Sequence, residues 1–149
     1  MIEEIEKRKQ QYIDSNSDNK IFDSMNQIVY VISGFDNLMK SLSGDTSNKL
    51  KDVLKDIKPV FKISFVIIDN SNGLKEYSYD DWYKQYITGI DGVWIGEGIA
   101  DQYVVKPNKI TNDMYKEIGE DFGYLIIKGK AQLLKMLNFI DDEGEIIDE

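Results

Sequence analysis

The sequence holds no histidine and no cysteine. This removes the commonest general base near neutral pH, the thiolate nucleophile and the nitrogen and sulfur ligands of zinc centres. Oxygen and amine groups remain, as 27 Asp and Glu against 18 Lys and Arg. A paired-carboxylate mechanism of the glycosidase kind is therefore open by inventory, but it requires two acids to converge. Asp80 and Asp81 are adjacent and diverge on a helix, Asp69 stands beside Asn70 at a strand end, and Asp36 follows another strand by a short turn. Each alone reads as loop solvation or helix capping. Asp36 and Asp69 share one further property: if their strands are parallel neighbours, both lie beyond the carboxyl ends, where open α/β sheets place ligands.

Phosphate-binding motifs are absent in usable form. A phosphate loop needs GxxxxGK followed by a hydroxyl, so that amides, a lysine and a magnesium ligand surround the phosphates. Here Gly129-Lys130 is preceded by Gly123 at the wrong spacing and followed by Ala131, and it reads as a hairpin turn. Gly92, Gly96 and Gly98 miss the dinucleotide fingerprint because Asp101 stands where its last glycine belongs. Asp14 to Asn19 begins like a calcium loop. Asn19 replaces the bend glycine and Met25 the closing Glu, so it reads as a solvated turn. A cluster of aromatic residues (Tyr77, Tyr79, Trp82, Tyr83, Tyr86, Trp94, Tyr103) is the other distinctive feature. Such side chains serve as core or as interface anchors. Trp94, between Val93 and Ile95, reads as core, whereas Trp82, Tyr83 and Tyr86 form a possible interaction surface.

The elements that must position these residues follow from periodicity. Ile2, Ile5, Tyr12 and Ile13 return at helical spacing, with Glu3/Lys7 and Glu4/Arg8 paired on the wet side. Gln27 to Ser33 and Ile63 to Ile68 are short apolar runs, read as strands buried on both faces of a mostly parallel sheet. A short helix over Leu38–Leu42 and a longer one over Thr46–Ile57 connect them as a βαβ unit. Asp69 to Gly73 reads as a turn, and Ser78 to Tyr86 as a helix capped by Ser78. Strands are expected at Val93–Ile95, Tyr103–Val105 and Gly123–Ile127, with a helix near Asn112–Ile118 and a closing β-hairpin through Ala131–Leu137.

A chain of 149 residues fits one ordinary domain, assigned to residues 1–140, followed by an acidic tail over 141–149. Six acids in that tail supply most of the −9 net charge and leave the body at −3. One arginine and scattered lysines are a poor footprint for nucleic acid. No apolar run approaches the ~20 residues of a membrane span.

The segment Asp91–Lys106 (DGVWIGEGIADQYVVK), with Phe122–Ala131 and Leu133–Leu137, resembles the end of the last ATPase module of EssC, the FtsK/SpoIIIE-type motor of Gram-positive type VII secretion. IEEIEKRKQQY is similar to the helix before that module's magnesium-site strand, QIVYVISGFDNL to the strand itself and ISFVIIDN to the following sensor strand. The resemblance implies a RecA-like three-layer sandwich whose phosphate-loop half, placed before Met1, is missing. It also implies a location on the cytoplasmic side, at the inner face of the membrane, as part of the secretion complex. Ser33 stands where the metal-binding acid belongs, and Asp36, Asp69 and Asn70 complete a degenerate nucleotide site. Without amides, lysine or metal acid the charge of phosphoryl transfer has no stabiliser. The expectation is therefore a non-catalytic interaction module without cofactor, contacting neighbouring motor modules or secreted substrates, with an open strand edge that invites pairing into a homo-oligomer. A cut-out portion of an active motor and a small stand-alone adaptor are the alternatives.

Overall fold

The computed structural model describes residues 1–137, apart from the side chain of Tyr86; the acidic tail lies outside the described residues. The chain divides into two compact units, one spanning Met1–Tyr86 and the other beginning at Ile87. The fold is mixed α/β, with a two-stranded parallel sheet in the first unit and a three-stranded antiparallel sheet in the second.

The first unit opens with α1 (Ile2–Asp14) and continues through β1 (Ile28–Ser33), α2 (Phe35–Ser41), α3 (Gly44–Asp56), β2 (Ile63–Ile68), α4 (Ser71–Tyr77) and α5 (Asp81–Tyr86). β1 and β2 pair in parallel, from Ile28 opposite Ile63 to Ser33 opposite Ile68, so the βαβ connection stands. Burial on both faces does not. Ile28, Tyr30, Ile63 and Phe65 turn toward a core of Ile5, Phe22, Val53 and Phe61. Val29, Val31, Val66 and Ile68 point the other way and remain 45–63% exposed. The side chains alternate because, within this unit, the core with α1 and α3 packs on one face of these strands.

Arg8 corrects a second expectation. It is buried, not on the wet side of α1. Its Nη1 donates to the carbonyl oxygen of Phe61 at 2.6 Å, with longer contacts to Asn26 and Lys62, while Nε donates to Glu4 at 2.9 Å. These carbonyls lie on the segments that lead into β1 and β2, and that of Lys62 also accepts from the Ile28 N–H at 2.9 Å. A five-donor guanidinium satisfies several of them at once.

Asp69 to Gly73 is also not a plain turn. The Asn70 side chain accepts from the backbone N–H of Gly73 at 2.8 Å and starts α4. The polar groups that close a turn are those that cap a helix, so the two readings share one signature. Ser78 then ends α4 instead of starting the next helix, and α5 begins at Asp81.

In the second unit β3 (Gly92–Ile95), β4 (Phe122–Ile127) and β5 (Lys130–Lys135) form an antiparallel sheet, so two of the three strand pairings in the described chain are antiparallel rather than parallel. The hairpin between β4 and β5 turns at Lys128 and Gly129, with φ of 50° and 74°. Positive φ at both central residues matches the right-handed twist of the strands, and Gly adopts it freely. Ile99, Val105, Met114, Tyr124 and Ile126 make the core, with Trp94 packed against it. Tyr103–Val105 is not a strand. Gln102 instead holds a loop there: its Oε1 accepts from the N–H groups of Val104 and Val105, and its Nε2 donates to the carbonyls of Ile99 and Val105. The helix expected over Asn112–Ile118 is only a 3₁₀ turn, Asn112–Tyr115.

Candidate functional site

Parallel pairing brings the carboxyl ends of β1 and β2 together. The ladder runs one step past β1, where Gly34 N–H donates to Ile68 O at 2.9 Å. Gly34 then takes φ +68°, a left-handed turn that costs a side-chain-bearing residue strain, and α2 starts at once. This sharp exit puts Asp36 in the first turn of α2, beside Asp69 at the end of β2.

The two acids meet through the backbone. Asp36 N–H donates to Asp69 Oδ2 at 2.6 Å, while Asp69 Oδ1 accepts from the backbone N–H of Asn70 at 2.7 Å and from its side-chain amide at 3.1 Å. The Asp36 carboxylate is held by two groups missed in the sequence. Lys40 Nζ donates to Oδ2 at 2.7 Å and the Tyr77 hydroxyl donates to Oδ1 at 2.9 Å. Lys40 also lies 3.5 Å from Glu76. Lys40 is four residues after Asp36, a spacing readable as an ion pair once α2 is known to begin at Phe35 rather than at Leu38. Tyr77 had no comparable signal, because it reaches Asp36 from α4.

The electrostatics follow from these contacts. The Lys40 ammonium, seconded by the Tyr77 hydroxyl, lowers the Asp36 carboxyl below its ordinary range, and Asp36 in turn raises Lys40. Burial first, then the hydrogen bond to the Asp36 carboxylate, pushes the Tyr77 phenol up to about 12. Gly73 lets α4 come this close: a Cβ there would sit 3.0 Å from Asp36 Cβ and 3.3 Å from Asp69 Oδ1.

Of the four positions assigned to a nucleotide-like site, Asp36, Asp69 and Asn70 converge. Ser33 does not join them; it is exposed at the end of β1, opposite Ile68. Chemically, the assembled groups tie α2 and α4 to the strand ends: both Asp69 oxygens and both Asp36 oxygens already accept bonds from the protein. Among the described residues, no group of three or more carboxylates is arranged to hold a metal ion.

Trp82 and Tyr83 do not form an interaction surface. They are 5% and 4% exposed. Trp82 packs 5.7 Å from the Phe35 ring and 5.9 Å from that of Tyr77, with Tyr83 against it at 5.7 Å, and its Nε1 donates to Asp80. The apolar side of the short α5 needs cover, and α2 and α4 supply the aromatic partners. The Tyr86 side chain lies outside the described residues. Among the described residues the buried Tyr83 hydroxyl has no hydrogen-bond partner, and burial raises its pKa.

No family model and no curated protein matches the sequence. Among solved structures, the fold is similar to the cytoplasmic domain of EssC, with a TM-score of 0.59 at 15% identity over 91% of this chain. The chain spans 25% of the length of that structure. At this identity the likeness is one of fold.

Proposed function

We infer that this chain is a non-catalytic module of a type VII secretion motor, RecA-like in descent, which works on the cytoplasmic side through contacts with neighbouring modules or exported proteins. The observation that carries this reading is the fold likeness to the cytoplasmic domain of EssC along 91% of the chain. The strand-end geometry supports the non-catalytic part. In a phosphoryl-transfer site the acid after the metal-site strand stays free for a magnesium shell, and a lysine for phosphate oxygens. Here Asp36 and Lys40 bind each other, and Tyr77 takes the other oxygen of Asp36.

Calorimetric titration with magnesium and ATP is the test. The expected result is no heat of binding, with no phosphate release by the same sample; micromolar binding would overturn the non-catalytic reading. The secretion assignment has a separate test, since a cell making the motor without this module should lose export while keeping the motor protein at its normal level.

A further inference from the structure

We propose that the acidic segment of this chain, residues 141–149, seats on a basic patch at the β4–β5 turn, where Lys106, Lys109, Lys128 and Lys130 gather. Patch and segment both follow Ile87 in the chain, and the assignment is independent of the secretion reading.

The backbone builds the patch. Gly129 N–H donates to Ile90 O at 2.7 Å and Lys106 N–H to the neighbouring Gly89 O at 2.6 Å, so the segment before β3 straps the Lys106 loop to the hairpin turn. Asn108 closes the strap: its N–H donates to Gly129 O at 2.8 Å and its side-chain amide to Lys128 O at 3.1 Å. A Cβ at Gly129 would run into the Asn108 side chain, so only glycine lets the two segments meet. Lys106 and Lys109 flank Pro107-Asn108 as Lys128 and Lys130 flank Gly129, and four ammonium-bearing side chains leave one small area. All four are exposed, and none makes an ion pair among the described residues. The acid bonded to this turn is Asp91, whose carboxylate already accepts from Lys128 N–H at 2.8 Å. At the other end of the same sheet the sign reverses: Glu97 lies just past β3, and Asp121 precedes β4 and holds Lys135 at 3.4 Å.

Charge and reach name the occupant. Residues 141–149 carry six carboxylates and no cation. A free polyanion approaching the patch meets a chain of net charge −9, whereas a segment tethered to β5 is present at an effective concentration on the order of millimolar. The chain leaves β5 at the Lys135 end, and the patch lies at the Lys130 end, about 17 Å back along the strand. From Lys135 to Glu145 the extended chain spans up to about 33 Å, so Glu145, Asp148 and Glu149 reach the lysines with length to spare for the reversal. Exposed ion pairs are individually weak and screened by salt, so the contact is one that salt dissolves.

The chain has no cysteine, so Ile147→Cys gives the full-length protein a single nitroxide among the distal acids. Paramagnetic broadening of backbone amides then reports where the segment dwells. At about 0.01 M salt the Lys106, Lys128 and Lys130 amides should broaden more than those of Gly96 and Asp121, which lie nearer the root of the segment at Lys135. The broadening at the turn should drop at least ~5-fold at about 1 M salt, where screening leaves a reach of only ~3 Å. The set Glu145→Gln, Asp148→Asn and Glu149→Gln should lower it as much, and so should Lys106→Gln, Lys109→Gln, Lys128→Gln and Lys130→Gln together. Broadening strongest at Gly96 and Asp121, or unchanged by salt or by either set of substitutions, would overturn the proposal. So would broadening that appears only when nitroxide-bearing and isotope-labelled chains are mixed, which would assign the patch to the segment of a second copy.

Discussion

Tyr77 on α4 and Asp36 on α2 share a 2.9 Å hydrogen bond, the phenol donating to Oδ1, and each alters the titration of the other. Tyr77 ionises only near pH 12, above the ordinary tyrosine value of 10.0. Since the folded value is the higher, the bond's contribution is complete below about pH 10 and disappears as pH climbs to about 12. Absorbance near 295 nm should show tyrosines titrating after the exposed ones, and Tyr77→Phe should remove one of them and leave the step of the buried Tyr83. The same variant should melt several degrees lower at pH 7, as a side-chain hydrogen bond of this kind is lost in a small unit.

Asp36 gives the opposite limb. Its folded pKa is depressed, so its contribution is present at neutral pH and is lost as pH falls through the carboxylate range and below. Denaturant midpoints measured from pH 7 to pH 2 should fall for the unmodified protein. Asp36→Asn should start lower at pH 7 and fall less steeply.

Arg8 should be intolerant of change. Arg8→Lys keeps the charge but loses the fork that reaches Phe61, Asn26 and Lys62 together. The variant should lose about 2 kcal/mol or more in urea unfolding, because carbonyls are left unpaired inside the unit. Arg8→Met should not recover this, which separates loss of hydrogen bonds from loss of packing.

Gln102→Ala tests the loop of the second unit. One amide makes four bonds to backbone groups of residues 99–105. Its removal should speed hydrogen exchange at the Val104 and Val105 amides by at least ~10-fold, with the β4–β5 amides changed far less.

Gly73→Ala should separate the acids from α4, since the added methyl meets Asp36 and Asp69 inside normal contact distance. The expected cost is ~1–3 kcal/mol. A late tyrosine titration reduced by the Tyr77 step in this variant, as in Tyr77→Phe, would show that the closeness of α4 sets the environment of Tyr77.

Four of the five expected strands and the closing hairpin were legible because short β-branched runs and the turn glycine Gly129 carry local signals, whereas Tyr103–Val105 forms a loop. The meeting of Asp36 with Asp69 was legible as soon as the strands were taken as parallel. Burial was harder to read. Val29 and Val31 are as apolar as buried residues, and nothing local shows that no helix of the same unit covers them. Arg8 looked solvated because its partners lie on segments far along the chain. Asn70 and Gln102 misled for a related reason: a side chain that bonds the backbone can replace a turn or a strand ladder, and composition does not show which backbone groups it will reach.

The β4–β5 hairpin and the β1–β2 pair differ in the path the chain must travel before contact. Lys128 and Gly129 close the first in two residues, an event of ~1–10 μs. The second waits until α2, α3 and the Pro59 turn have been looped out, at an entropic cost borne before any reward. During synthesis the nascent first unit should therefore linger with Ile63–Ile68 unpaired, and slow translation or a holdase, rather than tighter packing, is what would raise its yield.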